Sequence, residues 1–399
     1  MKFRCSKQLW FHVDCDSFFA ACEILRRPEL RDKYVCVGGD IIVAASYNAK
    51  YLGIKTGTPI WEAKRILPKE KAYFFTPDIP YYAQVSEKLM KLLAYYSDAI
   101  EVFSIDEAFC NVSWVPEYYG LSPRDYALFL QKKILSELGI PVTIGWGNTR
   151  LRAKIFSKLR KPFWVSVHLE SAELSEVFGW LPLSKIPFIW KKLESRIARH
   201  IETIEDFRRA SFAYFQRIIG VNATRLWLEI NGVNALSFSK NAFRTREGSL
   251  QKSFSKTRSF NHEMTSDKSV LLRRLSDNLD IFFEELYRKR CEIKSLTLML
   301  RTKEFTRIYA SHEFMDYTLS RREIYQTVEK LLSEIYDPDT IYRGTWVMTY
   351  DMRLFTPRQL SLSELRETQS LQAIQLEKTL SELRTKYGKQ SVRVGVWSL

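Results

Sequence analysis

Through the first 165 residues, apolar runs of four to six residues alternate with longer amphipathic stretches. Runs that short, bounded by polar residues or by Gly and Pro, predict strands at Leu9 to Val13, Tyr34 to Val37, Ile41 to Ala45, Ala72 to Phe75, Ile100 to Ile105, Phe109 to Val112 and Val142 to Gly145. Tyr81 to Tyr96 and Pro123 to Leu138 repeat their apolar residues every three or four positions, which predicts helices with one face on a core. From Glu173 to Ile230 the pattern shifts to short helices broken at Pro182, Pro187, Gly220 and Gly232, as in a small helical domain. Residues 235 to 252 are polar, basic and unpatterned, and read as a linker.

Beyond residue 253 the order is strand (Ser253 to Phe260), helix (Lys268 to Lys289), strand (Ile293 to Arg301), strand (Thr306 to His312), helix (Arg321 to Tyr336), strand (Tyr342 to Tyr350). That βαββαβ succession predicts a ferredoxin-like unit. The apolar residues of 352–399, among them Leu365, Leu376, Leu380 and Leu383, are too sparse for a core, so this stretch reads as a tail. The fold class is α+β, and 399 residues suggest two or more compact units.

Two acidic pairs interrupt the apolar runs. Asp14 and Asp16 follow the first strand two residues apart, so both carboxylates project to one face. Asp106-Glu107 stands between two other runs, where a hairpin turn would present it beside the strand ending at Asp14. Carboxylates brought together in this way can hold two hard divalent cations about 3.5–4 Å apart, the arrangement that drives in-line phosphoryl transfer. An isolated Asp-x-Asp more often caps a turn. Two such pairs in a basic, aromatic chain favour the metal reading, with Asp14, Asp106 and Glu107 as the candidate catalytic ligands.

Charge adds a partner. The chain carries a net +15 with 14% aromatic residues, an excess that commonly serves to neutralise phosphates. Residues 1 to 110 hold 15 Lys+Arg against 14 Asp+Glu, so nearly all of the excess lies downstream of the acids. Arg150, Arg152, Lys154, Lys158, Arg160 and Lys161 form one basic run without an acid; Lys240, Arg244, Arg246, Lys252, Lys256 and Arg258 form a second around Glu247. Ala45-Ser46-Tyr47-Asn48-Ala49-Lys50 opens a helix just after a strand, where free N–H groups suit a triphosphate and Tyr47 and Lys50 lie one turn apart. The six cysteines, at 5, 15, 22, 36, 110 and 291, include no Cys-x-x-Cys pair, which predicts reduced thiols and neither a zinc site nor a disulfide framework. The start lacks the apolar core of a signal peptide, and no apolar run approaches the ~20 residues of a membrane span. A soluble, cytoplasmic protein with no membrane partner is expected.

Val13-Asp14-Cys15-Asp16-Ser17-Phe18-Phe19-Ala20 and Ser104-Ile105-Asp106-Glu107-Ala108-Phe109-Cys110 resemble the two catalytic motifs of the Y-family translesion DNA polymerases, most closely the UmuC-like branch and next the DinB-like. The likeness runs in unbroken order along nearly the whole chain. It implies a right-hand polymerase with a palm (1–17 and 77–165), fingers (18–76), a helical thumb (166–234), a linker (235–252), a βαββαβ little finger (253–351) and a tail (352–399). It implies two Mg2+ ions on Asp14, the Cys15 carbonyl, Asp106 and Glu107, with Asp16 supporting the ligands. By the same resemblance Phe19 is the steric gate against a 2′-hydroxyl and Phe18 lies at the nucleotide. Tyr47, Lys50 and Lys161 meet the dNTP phosphates, and Arg150, Arg152, Lys158, Lys252, Lys256 and Arg258 meet primer-template DNA. Gln359, Leu360 and Leu362 resemble a peptide that binds the sliding clamp, and SOS accessory subunits belong to the UmuC-like picture of mutagenic repair. A nuclease or nucleotidyl cyclase using the same acids, and a DNA-binding scaffold without catalysis, are the alternatives.

The chain departs from the family at two hairpins. Lys161-Pro162-Phe163-Trp164 replaces Lys-Pro-Asn-Gly, and Pro187-Phe188-Ile189-Trp190 replaces Pro-Gly-Ile-Gly; Trp114 and Trp346 also stand where a small residue is expected. With only 15 Gly beside 10 Trp, against a usual glycine share of about 7%, two explanations stand: some of these tryptophans are UGA codons read as glycine in the source organism, or the hairpins have diverged in the ordinary way. UGG codons at 164 and 190 would dismiss the first.

Overall fold

The computed structural model describes residues 8–166, 171–189, 191–197, 200–236, 253–260, 263–354 and positions 379, 380 and 383. It divides into two compact units, Met1–Glu247 and Gly248–Leu399.

In the first unit β1 (Trp10–Cys15) is buried along its whole length. After β2 (Tyr34–Gly38), β3 (Ile42–Ala45) and β4 (Ala72–Phe75) come β5 (Ala99–Val102), β6 (Glu107–Asn111) and β7 (Val142–Gly147). A four-stranded sheet runs β5-β6-β1-β7, and a three-stranded sheet β3-β2-β4. Both neighbours of β1 are antiparallel to it, and the register sets Asp14 opposite Glu107 on one side and Thr143 on the other. The expected strand 100–105 ends at Val102, because residues 103–106 are spent on the turn into β6. The helix Pro123–Leu138 has the predicted limits: Ser122 caps its N-terminus and Gly139, at φ 67°, closes it.

The large sheet packs with the helices Phe18–Arg26, Ile79–Tyr95 and Pro123–Leu138 in one core. A separate small core holds Cys36, Ile42, Ala49 and Ala63. A third, helical core spans Leu174 to Ile230 and takes in Leu151, Ile155 and Phe156. The helix Arg150–Phe156 therefore serves two neighbours, its apolar side facing the helical core while it rests on β1 and β7. Its close seat on β7 needs glycine at 145, where a Cβ would come within 2.1 Å of the Ser157 amide. Glu229, fully buried, ties the same helix to residues 235 and 236 by accepting from the amides of Leu151, Ala235 and Leu236.

In the second unit β8 (Phe254–Ser259), β9 (Cys291–Thr302), β10 (Arg307–Thr318) and β11 (Tyr342–Thr349) form a sheet of order β10-β9-β11-β8, joined at β9 by β12 (Met352–Leu354). The helices Lys268–Arg288 and Arg321–Ile335 fall between the strands, so the βαββαβ order holds. β10 runs six residues past the expected His312, because an edge strand with one wet face accommodates Glu313 and Asp316. The sheet also claims Met352–Leu354, the first residues of the expected tail. The cysteines at 15, 22, 36, 110 and 291 are free and buried. Among the described residues no helix is long and apolar enough to cross a membrane.

Candidate active site

β1 alternates, so His12 and Asp14 share one face with Glu107 of β6. The ligand atoms of His12, Asp14 and Glu107 lie within 4.8 Å of one another. Asp106 sits in the turn beside them, its carbonyl accepting from the Cys15 amide at 2.9 Å and its carboxylate accepting from the Ser104 hydroxyl. Burial pushes the Asp106 carboxyl above its usual range, and the nearby charges of Asp14 and Glu107 add to that. Burial would push Glu107 up too, but its contacts outweigh this and hold it below its usual range, the Lys154 ammonium among them.

Lys161 arches over the acids, with Nζ 2.5 Å from Asp14 Oδ1 and 3.5 Å from Asp16 Oδ1. Burial alone would lower its pKa; Asp14 and then Asp16 reverse that and raise it. Asp16 is buried and accepts from Thr143 Oγ1 at 3.0 Å and from the Phe163 amide at 2.8 Å, so it clamps the loop that carries Lys161. Asp16→Asn turns one acceptor oxygen into a donor facing that loop. If Lys161 meets the phosphates of an incoming nucleotide, as the resemblance implies, the KM for that nucleotide is expected to rise roughly tenfold, the lower end of effects seen for groups that orient a ligand. An unchanged KM in steady-state extension would count against this role.

Asp14, Cys15, Phe18, Phe19, Tyr47, Lys50, Asp106, Lys158 and Lys161 all line one cleft of about 560 Å³. Lys50 Nζ donates to Ser17 Oγ at 2.7 Å and lies 4.4 Å from the Tyr47 ring centre. Phe19 stacks on Tyr82 with centroids 4.6 Å apart, whereas Phe18, also in the lining, is almost wholly buried.

Two models of one family match, the impB/mucB/samB family over residues 13–158 and its C-terminal domain over 251–372. The relatives include a DNA polymerase IV of Oceanobacillus iheyensis, 26% identical over 96% of this chain and 90% of that protein. Another, a DNA polymerase IV of Dehalococcoides mccartyi, is 27% identical over 96% of both chains. The chain belongs to the Y-family of DNA polymerases. Among solved structures, a chimera of the Y-family polymerases Dbh and Dpo4 matches 87% of this Y-family chain and all of its own, with TM-score 0.71 at 24% identity. A Dbh ternary complex matches with TM-score 0.53 at 24% identity.

Not every expected contact of this Y-family member faces the cleft. Arg150 is a correction: its guanidinium is buried, paired through Nε at 2.9 Å and Nη2 at 2.6 Å to Glu101, and lies 3.8 Å from the Trp10 ring centre. Arg152 is half-buried, with Nε and Nη2 donating to the Ile230 carbonyl at 3.0 and 2.8 Å and Nη1 to Asn148 at 3.1 Å. A basic run at helical spacing looks the same whether its charges meet phosphate or buried acids; Glu101 lies 49 residues away and gave no local signal. On β8, a sheet edge, Lys256 is half-buried beside Phe254 and the exposed Arg258 pairs with Asp277 at 2.6 Å. Lys252, Gln359, Leu360, Leu362 and Trp190 lie outside the described residues. His12, Ser104, Thr143 and Lys154 join the site without belonging to either acidic pair, although the two-residue step from His12 to Asp14 on an alternating strand points to a shared face.

At the substituted hairpins the left-handed backbone falls on Phe163 (φ 53°) and Phe188 (φ 74°), where the family has Asn and Gly. Trp164 is not in that region, and its ring lies 5.0 Å from the Arg160 guanidinium. Backbone conformation therefore makes no demand for glycine at 164.

Proposed function

We propose that this chain is a template-directed DNA polymerase of the translesion type, adding dNTPs to a primer 3′ end with two Mg2+ ions. The observation that carries this is the convergence of Asp14, Asp106, Phe19, Tyr47, Lys50 and Lys161, drawn from four separate segments, on one cleft. The residues fit divalent ions: Asp14 and Glu107 face each other in register, the Asp106 carboxylate is destabilised by burial and then by their charge, and the ammonium of Lys161 rests on Asp14. Asp14, Asp106, Glu107 and the Cys15 carbonyl would hold the ions. Bound there, the ions would lower the pKa of the primer 3′-hydroxyl and offset charge on the α-phosphate and pyrophosphate.

The chain's own groups orient the nucleotide. Tyr47, Lys50 and Lys161 are the donors to its phosphates, and Lys50 meets them as a point charge where Arg would offer a fork. The stack on Tyr82 fixes the Phe19 ring as a wall against the sugar. Lys158, Lys252, Lys256 and Arg258 are assigned to template and primer phosphates, which positions DNA without reading sequence. To the same reading belong the palm, fingers, thumb and little finger at the boundaries given above, the clamp peptide at Gln359, Leu360 and Leu362, and a cytoplasmic place in SOS mutagenesis. The UmuC-like assignment rests on the motif around Asp106, while the relatives carry the name DNA polymerase IV.

Primer extension on a template with an abasic site tests the activity: extension supports a polymerase, strand cutting a nuclease, and neither a scaffold. Phe19→Ala opens the wall, and the preference for dNTP over rNTP is expected to fall by on the order of 10–200-fold, the span for steric discrimination by a packed pocket. Single-nucleotide insertion kinetics with dATP and ATP measure it, and an unchanged ratio removes Phe19 from the gate.

A further inference from the structure

Beside the acids lies a buried cation that the mechanism above does not use. Lys154, 3% exposed, donates from Nζ to Glu107 Oε2 at 2.5 Å and sits 3.3 Å from His12 Nε2 and 4.2 Å from the Phe103 ring centre. Hydrogen-bond accounting settles the His12 tautomer. Ser157 Oγ spends its proton on the Lys154 carbonyl at 2.9 Å, so at 2.8 Å it accepts from His12 Nδ1–H. In the neutral ring His12 Nε2 then carries a lone pair, and it faces Glu107 Oε2 at 3.1 Å. Two acceptors that close repel unless a cation lies against both, and the Lys154 ammonium is that cation.

The same two residues, with Asp14, each offer a ligand atom to a trio within 4.8 Å that could ligate a metal. A nitrogen ligand makes such a trio better suited to Mn2+, Co2+ or Zn2+ than to Mg2+. We propose that Lys154 is a positioning and metal-selecting residue: its ammonium occupies the His12 side of Glu107, holds that carboxylate for the ions on Asp14 and Asp106, and bars a histidine-ligated ion from the site. This rests on Glu107 being an ion ligand, and extension by the unaltered protein tests that separately.

The test counts ions in the full chain without DNA, by electron paramagnetic resonance of free Mn2+, and measures the Mg2+ concentration for half-maximal extension. Lys154→Met keeps length and loses charge. It is expected to bind one further Mn2+ equivalent and to need about tenfold more Mg2+, as is usual when a group orienting a ligand is lost. Adding His12→Gln should remove the extra equivalent, and Lys154→Arg should recover most of the Mg2+ dependence without binding an additional ion. A folded Lys154→Met protein with the Mn2+ count and Mg2+ dependence of the original overturns the proposal. Should that variant fail to fold, Lys154→Arg decides: retained Mg2+ dependence supports it, and an extra Mn2+ equivalent overturns it.

Discussion

Asp106→Ala is expected to lower primer extension by roughly 10³-fold or more, since loss of a bridging ligand removes several kcal/mol of charge stabilisation and each ~1.4 kcal/mol is tenfold in rate. The effect on stability should run the other way. Asp106 is a partly buried acid made less acidic by burial and by Asp14 and Glu107, and its backbone bond to the Cys15 amide survives truncation of the side chain. Alanine thus relieves like-charge repulsion in the metal-free protein, and the melting temperature in EDTA should hold or rise. Extension rates and thermal melts on the same preparation check both halves. A variant that extends primers at the original rate would remove Asp106 from the ion site, and one that melts many degrees lower would show that the turn depends on it.

Glu101→Ala should be the most destabilising single change of a charged residue outside the cleft. Glu101 and Arg150 are both nearly inaccessible and share two hydrogen bonds, and the guanidinium lies on Trp10. Truncating one partner leaves a buried charge unpaired, at a cost of about 3–5 kcal/mol. In a unit of this size that corresponds to a fall in melting temperature of roughly 6–20 °C. Replacing both residues by methionine should recover most of the loss, because two apolar side chains carry no desolvation cost. The same pair separates Arg150 from the basic surface. If Arg150 instead grips DNA, Arg150→Met in the Glu101→Met background would cut DNA affinity and leave the melt unimproved.

How much of the site could be read ahead of the fold depended on distance along the chain. Asp14 and Asp16, two residues apart at a strand end, and Asp106-Glu107, between two apolar runs, announce themselves locally, and they meet as the strand pattern predicts. Asp14 and Asp16 differ in their surroundings: Thr143 and the Phe163 amide donate to Asp16, while Asp14 shares its face with His12 and Glu107. The basic run 150–161 misled in part. The helix spans only Arg150–Phe156, so Arg150, Arg152 and Lys154 turn from it toward Glu101, Ile230 and Glu107, while Lys158 and Lys161 follow in the turn and loop beyond it and reach the cleft. Nothing within a dozen positions of Arg150 shows that its partner is Glu101.

By itself, the order of residues determined what depends on near neighbours: the alternation that makes β1 a strand, the capped helix 123–138, the βαββαβ succession, and the clustering of acids with the excess of positive charge. Tertiary structure decided which charges remain available. Burial makes an unpaired charge costly, so each lysine or arginine drawn into the interior must find an acid there. Which acid it meets is set by strand register and by the close seat of a helix over Gly145, both of which join residues far apart in the chain.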